Sequence, residues 1–422
     1  MIRPLYSLVL IGAQPFLRRK LKRRGAAEPG YLHAVDERFG RYRTPAEPGA
    51  LWIHAVSLGE TRAAAILLAR LRERDPGLRV LLTHGTATGW AEGERLLRPG
   101  DHQAWLPWDT PRAVRRFLGH FQPSAGVLME TEVWPNLVAD CRARHVPLVL
   151  ANARLSAKSL AQARRLRHLS RPAYGGLTAV WAQTQADAQR LREAGANVQG
   201  VFGNLKFDAT PDAALVERGR AWRARHGRPV VMFASSREGE EARLLEAIRA
   251  QPPADVQWLL VPRHPQRFDE VTALVHSRGF SVSRRSRWTS APLPADVWVG
   301  DSLGEMPLYY ALAGAALLGG SFEPLGGQNL IEAAACGCPL VMGPHTFNFA
   351  EAAQLAQHSG AALGVTSIEE GVQAAVAIAR DALRRDAMST AGLAFAAAHR
   401  GAADRTADAV LAVIASSSRL GR

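Results

Sequence analysis

Cysteine is nearly absent, with three in 422 residues. That excludes a disulfide-stapled secreted fold. Cys336 and Cys338 have no second pair at zinc-site spacing, so small buried thiols in a reducing compartment are expected. The histidines form no HxH or HExxH pattern, and no metal site is expected. Nor is there a long apolar run. The best, residues 5–17, would span about 20 Å as a helix against roughly 30 Å of hydrocarbon. Lysine is scarce too: only Lys20, Lys22, Lys158 and Lys206 occur, so arginine carries almost all the positive charge. There is no internal repeat and no nucleic-acid module, and the basic charge is spread through the body, which argues against a nucleic-acid role.

What is present points elsewhere. A formal net charge of +14 calls for an anionic partner, either a membrane surface or a phosphorylated substrate. With 47% hydrophobic and 21% charged residues the chain is globular, and its length suits two domains. The apolar stretch 5–17 is followed at once by Arg18, Arg19, Lys20, Lys22, Arg23 and Arg24. A secretory signal puts its charge before the apolar part and ends in small residues. The order here fits a helix dipping into one cytoplasmic leaflet, its basic cluster on anionic headgroups. A helix packed on the protein body is the plainer alternative.

From residue 51 onward short apolar runs alternate with helical patterns. Strands are predicted at 51–57, 78–84, 124–129, 146–152, 179–183 and 198–202. After a pause at Asp208–Asp212 they resume at 230–235, 256–261, 297–300, 315–319 and 339–342. Such alternation predicts α/β units with parallel sheets and helices on both faces. The division expected is 1–30 for the membrane-associated segment, 31–207 and 208–385 for two Rossmann-like domains, and 386–422 for an Ala-rich helical tail.

Several segments sit where such folds place ligands, at strand C-termini. Glu60 follows the run Leu51–Val56, with Gly59 expected to allow a sharp turn and a helix expected from Thr61 to Arg74. A carboxylate there is placed to take a proton, though a helix-start acid without a function reads the same way. Glu130 and Glu132 follow Ala125–Met129 and share a face if the strand persists; exposed loop acids are the alternative. Lys206, in Gly203–Asp208, can meet a phosphate or carboxylate, or simply pair with Asp208 or another acid. Ser235 and Ser236 open a helix after a strand and offer hydroxyls and backbone N–H groups to an anion; a serine cap explains them equally well. Arg263 and His264 end another strand. Four glycines between Gly319 and Gly327 precede a helix start at Gln328–Glu332, where Glu332 can accept ribose hydroxyls.

Taken together, HAVSLGE, ETEVWPN, ANARLS, GNLKFD, VPRHP, GDSLGEM and GGQNLIE resemble the Kdo transferases, which add 3-deoxy-D-manno-octulosonic acid (Kdo) to the lipid A precursor. The resemblance covers nearly the whole chain. It implies a glycosyltransferase B-type fold of two Rossmann-like domains, with CMP-Kdo as donor substrate bound mainly by the second and lipid IVA met by the first, at the cytoplasmic face of a bacterial inner membrane. No cofactor or metal is implied. Carried over by motif, Glu60 matches the general base, and Glu130, Lys206 and Asp208 fall in positions that support the transition state. Arg263, His264, Gly304, Glu305, Met306, Asn329, Leu330, Ile331 and Glu332 match the CMP contacts. The family's phosphate turn is here Ala234-Ser235-Ser236-Arg237, a departure that leaves the donor-phosphate contacts open. A uridine-diphosphate-sugar enzyme on the same fold, or a membrane-tethered nucleotide-binding scaffold, are the competing readings.

Overall fold

The computed structural model describes residues 2–250 and 255–420. The chain forms two compact units, Met1–Asp208 with Arg400–Arg422, and Ala209–His399. In the first, β1 (Leu51–His54), β2 (Val80–His84), β3 (His102–Trp105), β4 (Ala125–Met129), β5 (Leu148–Ala153), β6 (Ala179–Ala182) and β7 (Val198–Val201) are all parallel. Their order is β3-β2-β1-β4-β5-β6-β7. The direction of winding reverses between β1 and β4, where Leu51 to His54 lie beside Ala125 to Leu128. Such a reversal opens a crevice at the strand C-termini.

β1 is covered on both faces, which is why it reads as an unbroken apolar run. Trp52 packs edge-on against Phe117, and its indole N–H donates to Thr83 Oγ1 at 2.8 Å. Leu51 and Ile53 face the other way, onto Leu67 and Leu71 of the helix Leu58–Arg74. The same core takes in Ala402, Ala403, Ala407 and Val410 from the helix Ala402–Leu420. Arg74 adds ion pairs to Asp404 and Asp408.

The second unit holds β8 (Val230–Ser236), β9 (Gln257–Pro262), β10 (Val282–Arg284), β11 (Val297–Val299), β12 (Ala315–Leu318), β13 (Leu340–Met342) and β14 (Ala362–Gly364). The order β10-β11-β9-β8-β12-β13-β14 reverses between β8 and β12. Both units are therefore parallel α/β layers. Three strands escape the sequence patterns, β3, β10 and β14, and each is a sheet edge.

The segment expected as one tail is two helices with different partners. Ala382–Ala398 packs on the helix Leu330–Ala335 of the second unit, and Ala402–Leu420 packs on Leu58–Arg74 of the first. Asp208 joins the return: its carboxylate accepts from the backbone N–H groups of Gly401 and Ala403. It therefore acts as a cap at the start of a helix.

At the N-terminus, the helix Ile2–Gly12 is tied to the first unit on one side. Tyr6 donates its hydroxyl to Asp109 at 3.0 Å, and the buried Ser7 hydroxyl donates to Asn136 at 3.1 Å. Its other side leaves Ile2, Leu5, Leu8, Val9 and Ile11 exposed, with Phe16 of the following helix. Among the described residues no helix is long and apolar enough to cross a membrane.

Candidate active site

Glu60 and Glu130 leave the sheet on either side of the β1/β4 reversal. The turn expected at Gly59 is instead a capped helix start. Ser57 is the N-cap, its Oγ accepting from Glu60 N at 3.4 Å. The Glu60 carboxylate reaches back, accepting from Val56 N at 2.9 Å and from Ser57 Oγ at 3.0 Å. This is a capping box shifted by one residue. Burial holds the Glu60 carboxyl above the usual range, opposed by the Val56 hydrogen bond; the Glu130 charge adds to the rise. His54 of the same motif is core. It is fully enclosed on Thr83, and its imidazole is pushed down to about 3 by burial, so it stays neutral.

β4 ends at Met129, so strand alternation does not bring Glu130 and Glu132 to one face. Glu130 adopts φ of +58°, a left-handed conformation that non-glycine residues seldom take and that concentrates at functional sites. It is 3% exposed and ringed by two cations: Arg154 Nε at 2.9 Å and Lys206 Nζ at 3.3 Å. Arg154 follows β5, the neighbour of β4, and its N–H also donates to the Glu130 carbonyl at 3.2 Å. Lys206, expected to meet a phosphate or carboxylate or to pair with an acid, pairs with Glu130, and Arg154 of the ANARLS motif joins it although the sequence alone gives Arg154 no role. Asp208 is not brought into the cluster; it caps the returning helix.

Glu132 also belongs to the site. Its carboxyl is pushed up to about 7, first by burial, then by the charge of Glu60, with the Trp134 indole N–H opposing at 2.9 Å. Burial raises both the Glu60 and Glu132 carboxyls, and clustered carboxyls shifted in this way are suited to acid–base work.

In the second unit the loops after β8 and β12 meet at the other reversal. Gly319 has no Cβ to collide with the Ser235 carbonyl, which would lie 2.3 Å from one. The expected anion turn is already filled. Glu240, fully buried, accepts from Gly320 N at 2.8 Å, Phe322 N at 3.3 Å and Arg237 N at 2.9 Å. Ser236 is buried and gives its hydroxyl to Glu241, which also holds Arg267 at 2.8 Å. The Ser236 side chain therefore serves the fold. Ser235 remains half-buried, with φ of +55°.

Arg263 lies at the end of β9 with Nε on Gln328 Oε1 at 3.1 Å, which joins two of the motifs. His264 is kept below its usual range by burial and by Arg237, Arg263 and Arg267. Gly304 is exposed with φ of +81°, and Glu305 is held by Arg285 at 2.7 Å and by Ser302. Met306 begins the next helix. Asn329 caps the helix Leu330–Ala335 through Ile331 N, while Leu330 and Ile331 turn their side chains into the core. Glu332 is half-buried in that helix's first turn. Arg263, His264, Gly304 and Glu332 thus remain accessible on this unit.

Known proteins give the arrangement a family. The model of the 3-deoxy-D-manno-octulosonic-acid transferases (kdotransferases) matches residues 33–209. A 3-deoxy-D-manno-octulosonic acid transferase of Bordetella pertussis is 50% identical over 424 residues, spanning 97% of this chain and 98% of that protein. The Haemophilus influenzae protein of the same description is 31% identical, with 97% and 98% covered. Among solved structures, Anabaena Alr3699/HepE in complex with UDP superposes with a TM-score of 0.56 at 15% identity, covering 87% of this chain and all of that one. That is a likeness of fold, two parallel α/β domains of the glycosyltransferase B type. With half its residues shared with the Bordetella protein along almost its full length, the chain belongs to the 3-deoxy-D-manno-octulosonic acid transferase family and is a glycosyltransferase.

Proposed function

We propose that the chain moves Kdo from CMP-Kdo to a sugar hydroxyl of lipid IVA, with Glu60 as the general base. The observation that carries this reading is the placing of Glu60 and the Glu130–Arg154–Lys206 cluster on the two sides of one sheet reversal. Glu60 takes the acceptor hydroxyl proton as that oxygen forms its bond to the anomeric carbon of Kdo. The bond from that carbon to the phosphate oxygen breaks, and CMP leaves with the electron pair. Attack opposite the leaving group inverts the configuration. A half-desolvated carboxylate beside other acids is a stronger base than one in water, and such assistance is typically worth about 10²–10⁴-fold.

The cluster's charge assigns the supporting roles. Arg154 and Lys206 put two cations on the Glu130 carboxylate, and cations suit an anion better than the cationic centre of an oxocarbenium ion. Glu130 sets the two cations, and Arg154 and Lys206 meet the donor's carboxylate or departing phosphate. In the second unit Arg263, His264, Gly304 and Glu332 hold CMP. The exposed apolar side of Ile2–Gly12 and the basic residues from Arg18 to Arg24 rest on an anionic leaflet at the cytoplasmic face of the inner membrane.

The test is transfer from CMP-Kdo, generated in situ, to purified lipid IVA, read by mass spectrometry. Wild type should add whole Kdo increments, and Glu60→Ala should add none. Folded wild-type protein that binds CMP but yields no product would refute the acceptor.

A further inference from the structure

β5 carries one residue too many for both of its neighbours. On the β4 side, Glu130 N–H donates to the Ala151 carbonyl at 3.0 Å, and the Glu130 carbonyl accepts from Arg154 N at 3.2 Å. Ala151 and Arg154 are one residue further apart than a regular parallel ladder allows. On the β6 side the register slips between Leu150 and Ala153. Within this bulge Asn152 takes φ of +52°, a backbone that asparagine tolerates better than most side chains. Bulges next to active sites re-aim side chains, and this one brings Arg154 level with Glu130.

The Asn152 side chain is itself buried and serves a second segment. Its Oδ1 accepts from Leu205 N at 3.1 Å. Leu205, fully buried, opens the turn Leu205–Asp208, and the Lys206 N–H that follows is held by Asn204 Oδ1 at 3.0 Å. Lys206 Nζ then lies 3.3 Å from Glu130 Oε1. A lysine stem is flexible, so the resting place of its ammonium depends on how firmly its backbone is fixed. Among the described residues Asn152 Nδ2 is buried without a hydrogen-bond partner. An unmet buried donor costs about 1–3 kcal/mol, so this half of the amide does not stabilise the fold. The position needs an acceptor that is uncharged and at ease with positive φ. Aspartate would add a second buried carboxylate next to Glu130, and asparagine does not.

We infer that Asn152 is a positioning residue: its side-chain carbonyl fixes the Leu205–Asp208 turn so that the Lys206 ammonium stands on Glu130, ready for an anionic group of the donor. The inference rests on the transferase reading above, in which Lys206 meets the donor's carboxylate or departing phosphate.

The scarcity of lysine supplies the test. Reductive methylation with isotope-labelled formaldehyde marks Lys20, Lys22, Lys158 and Lys206 as dimethylammonium groups that keep their charge, and Lys206→Arg identifies the Lys206 signal in the NMR spectrum. The readout is how far Glu130→Gln displaces that signal. Asn152→Gly keeps the left-handed backbone and removes the acceptor, whereas Asn152→Asp keeps the acceptor. The displacement should persist in Asn152→Asp and vanish in Asn152→Gly. In kinetics, Asn152→Gly should lower kcat for Kdo transfer about tenfold or more in the wild-type background, but no more than about twofold in Lys206→Ala, because both changes remove one interaction. KM for lipid IVA should stay level. An undiminished displacement in Asn152→Gly, or losses from Asn152→Gly and Lys206→Ala that simply multiply, overturns the assignment. Should wild type transfer nothing, the transferase reading fails while the displacement still decides what Asn152 does. Thermal melts identify a variant whose loss is one of folding. If Asn152→Gly is such a variant, Asn152→Asp carries the test, and a vanished displacement in that folded protein overturns the inference as well.

Discussion

Replacing Glu60 by glutamine separates the cap that the structure shows from the base proposed for the same side chain. As a cap, the carboxylate accepts from Val56 N and Ser57 Oγ at the start of a 17-residue helix. Glutamine keeps the shape and one acceptor oxygen, so the lost cap interaction costs about 0.5–2 kcal/mol of stability at most. As a base, the carboxylate cannot be replaced by an amide, which does not take a proton. A loss of about 10²–10⁴-fold corresponds to about 2.7–5.5 kcal/mol of barrier at about 1.36 kcal/mol per tenfold. The two costs therefore fall in different measurements. Urea unfolding midpoints should move little, while initial rates of Kdo transfer at saturating donor collapse. Ser57→Ala is the control: it removes the cap partner, lowers stability by about 1 kcal/mol, and keeps most of the rate. The reasoning fails if Glu60→Gln transfers at near wild-type rate, or if Ser57→Ala loses as much activity as Glu60→Gln.

Other variants probe the supporting structure. The Glu132 carboxyl, at about 7, is mostly neutral below that pH and charged above it, facing Glu60, Glu130 and Tyr174. Rising pH therefore adds a negative charge beside an anionic acceptor, so KM for lipid IVA should climb between about pH 6 and 8 in wild type and stay level in Glu132→Gln. Glu240→Gln turns an amide N–H toward backbone donors that now share a carboxylate, at about 1.5–3 kcal/mol per charged hydrogen bond. It should weaken CMP binding by calorimetry well before the melting temperature shows a comparable loss. Arg267→Ala leaves Glu241 buried without its cation, and about 3–5 kcal/mol should be lost in urea denaturation. A change below 1 kcal/mol would show that the pair is solvated.

The interior of both sheets was legible because buried parallel strands are continuous apolar runs: Leu51–His54 and Val230–Ser236 announce themselves. Edge strands do not. His102 and Gln103 open β3, and β10 is Val282-Ser283-Arg284, because an edge buries less and tolerates polar side chains. The site shows the same division. Glu60, Glu130 and Lys206 follow strands in recognisable motifs. Arg154 was hidden by its distance along the chain from Glu130, although β4 and β5 being consecutive parallel neighbours was the signal available. Nothing local marks Glu240 and Glu241 as buried, and only tertiary structure shows them enclosed, with Glu240 feeding the β12 turn. The cap that Asp208 makes could not be read locally, since its partners Gly401 and Ala403 come almost 200 residues later.

That late partner has a consequence for how the protein is made. The helix that begins with Glu60 shares its core with Ala402, Ala403, Ala407 and Val410, yet the ribosome reaches those residues only after all of Ala209–His399 has been built. At about 5–20 residues per second, the first unit waits on the order of ten seconds or more with Leu67 and Leu71 short of their covering helix. Through that interval Asp208 and the apolar side of Leu58–Arg74 are a vacant seat for a segment still inside the synthetic machinery. The helix that starts at Leu58 is thus among the first elements translated and among the last to complete its packing.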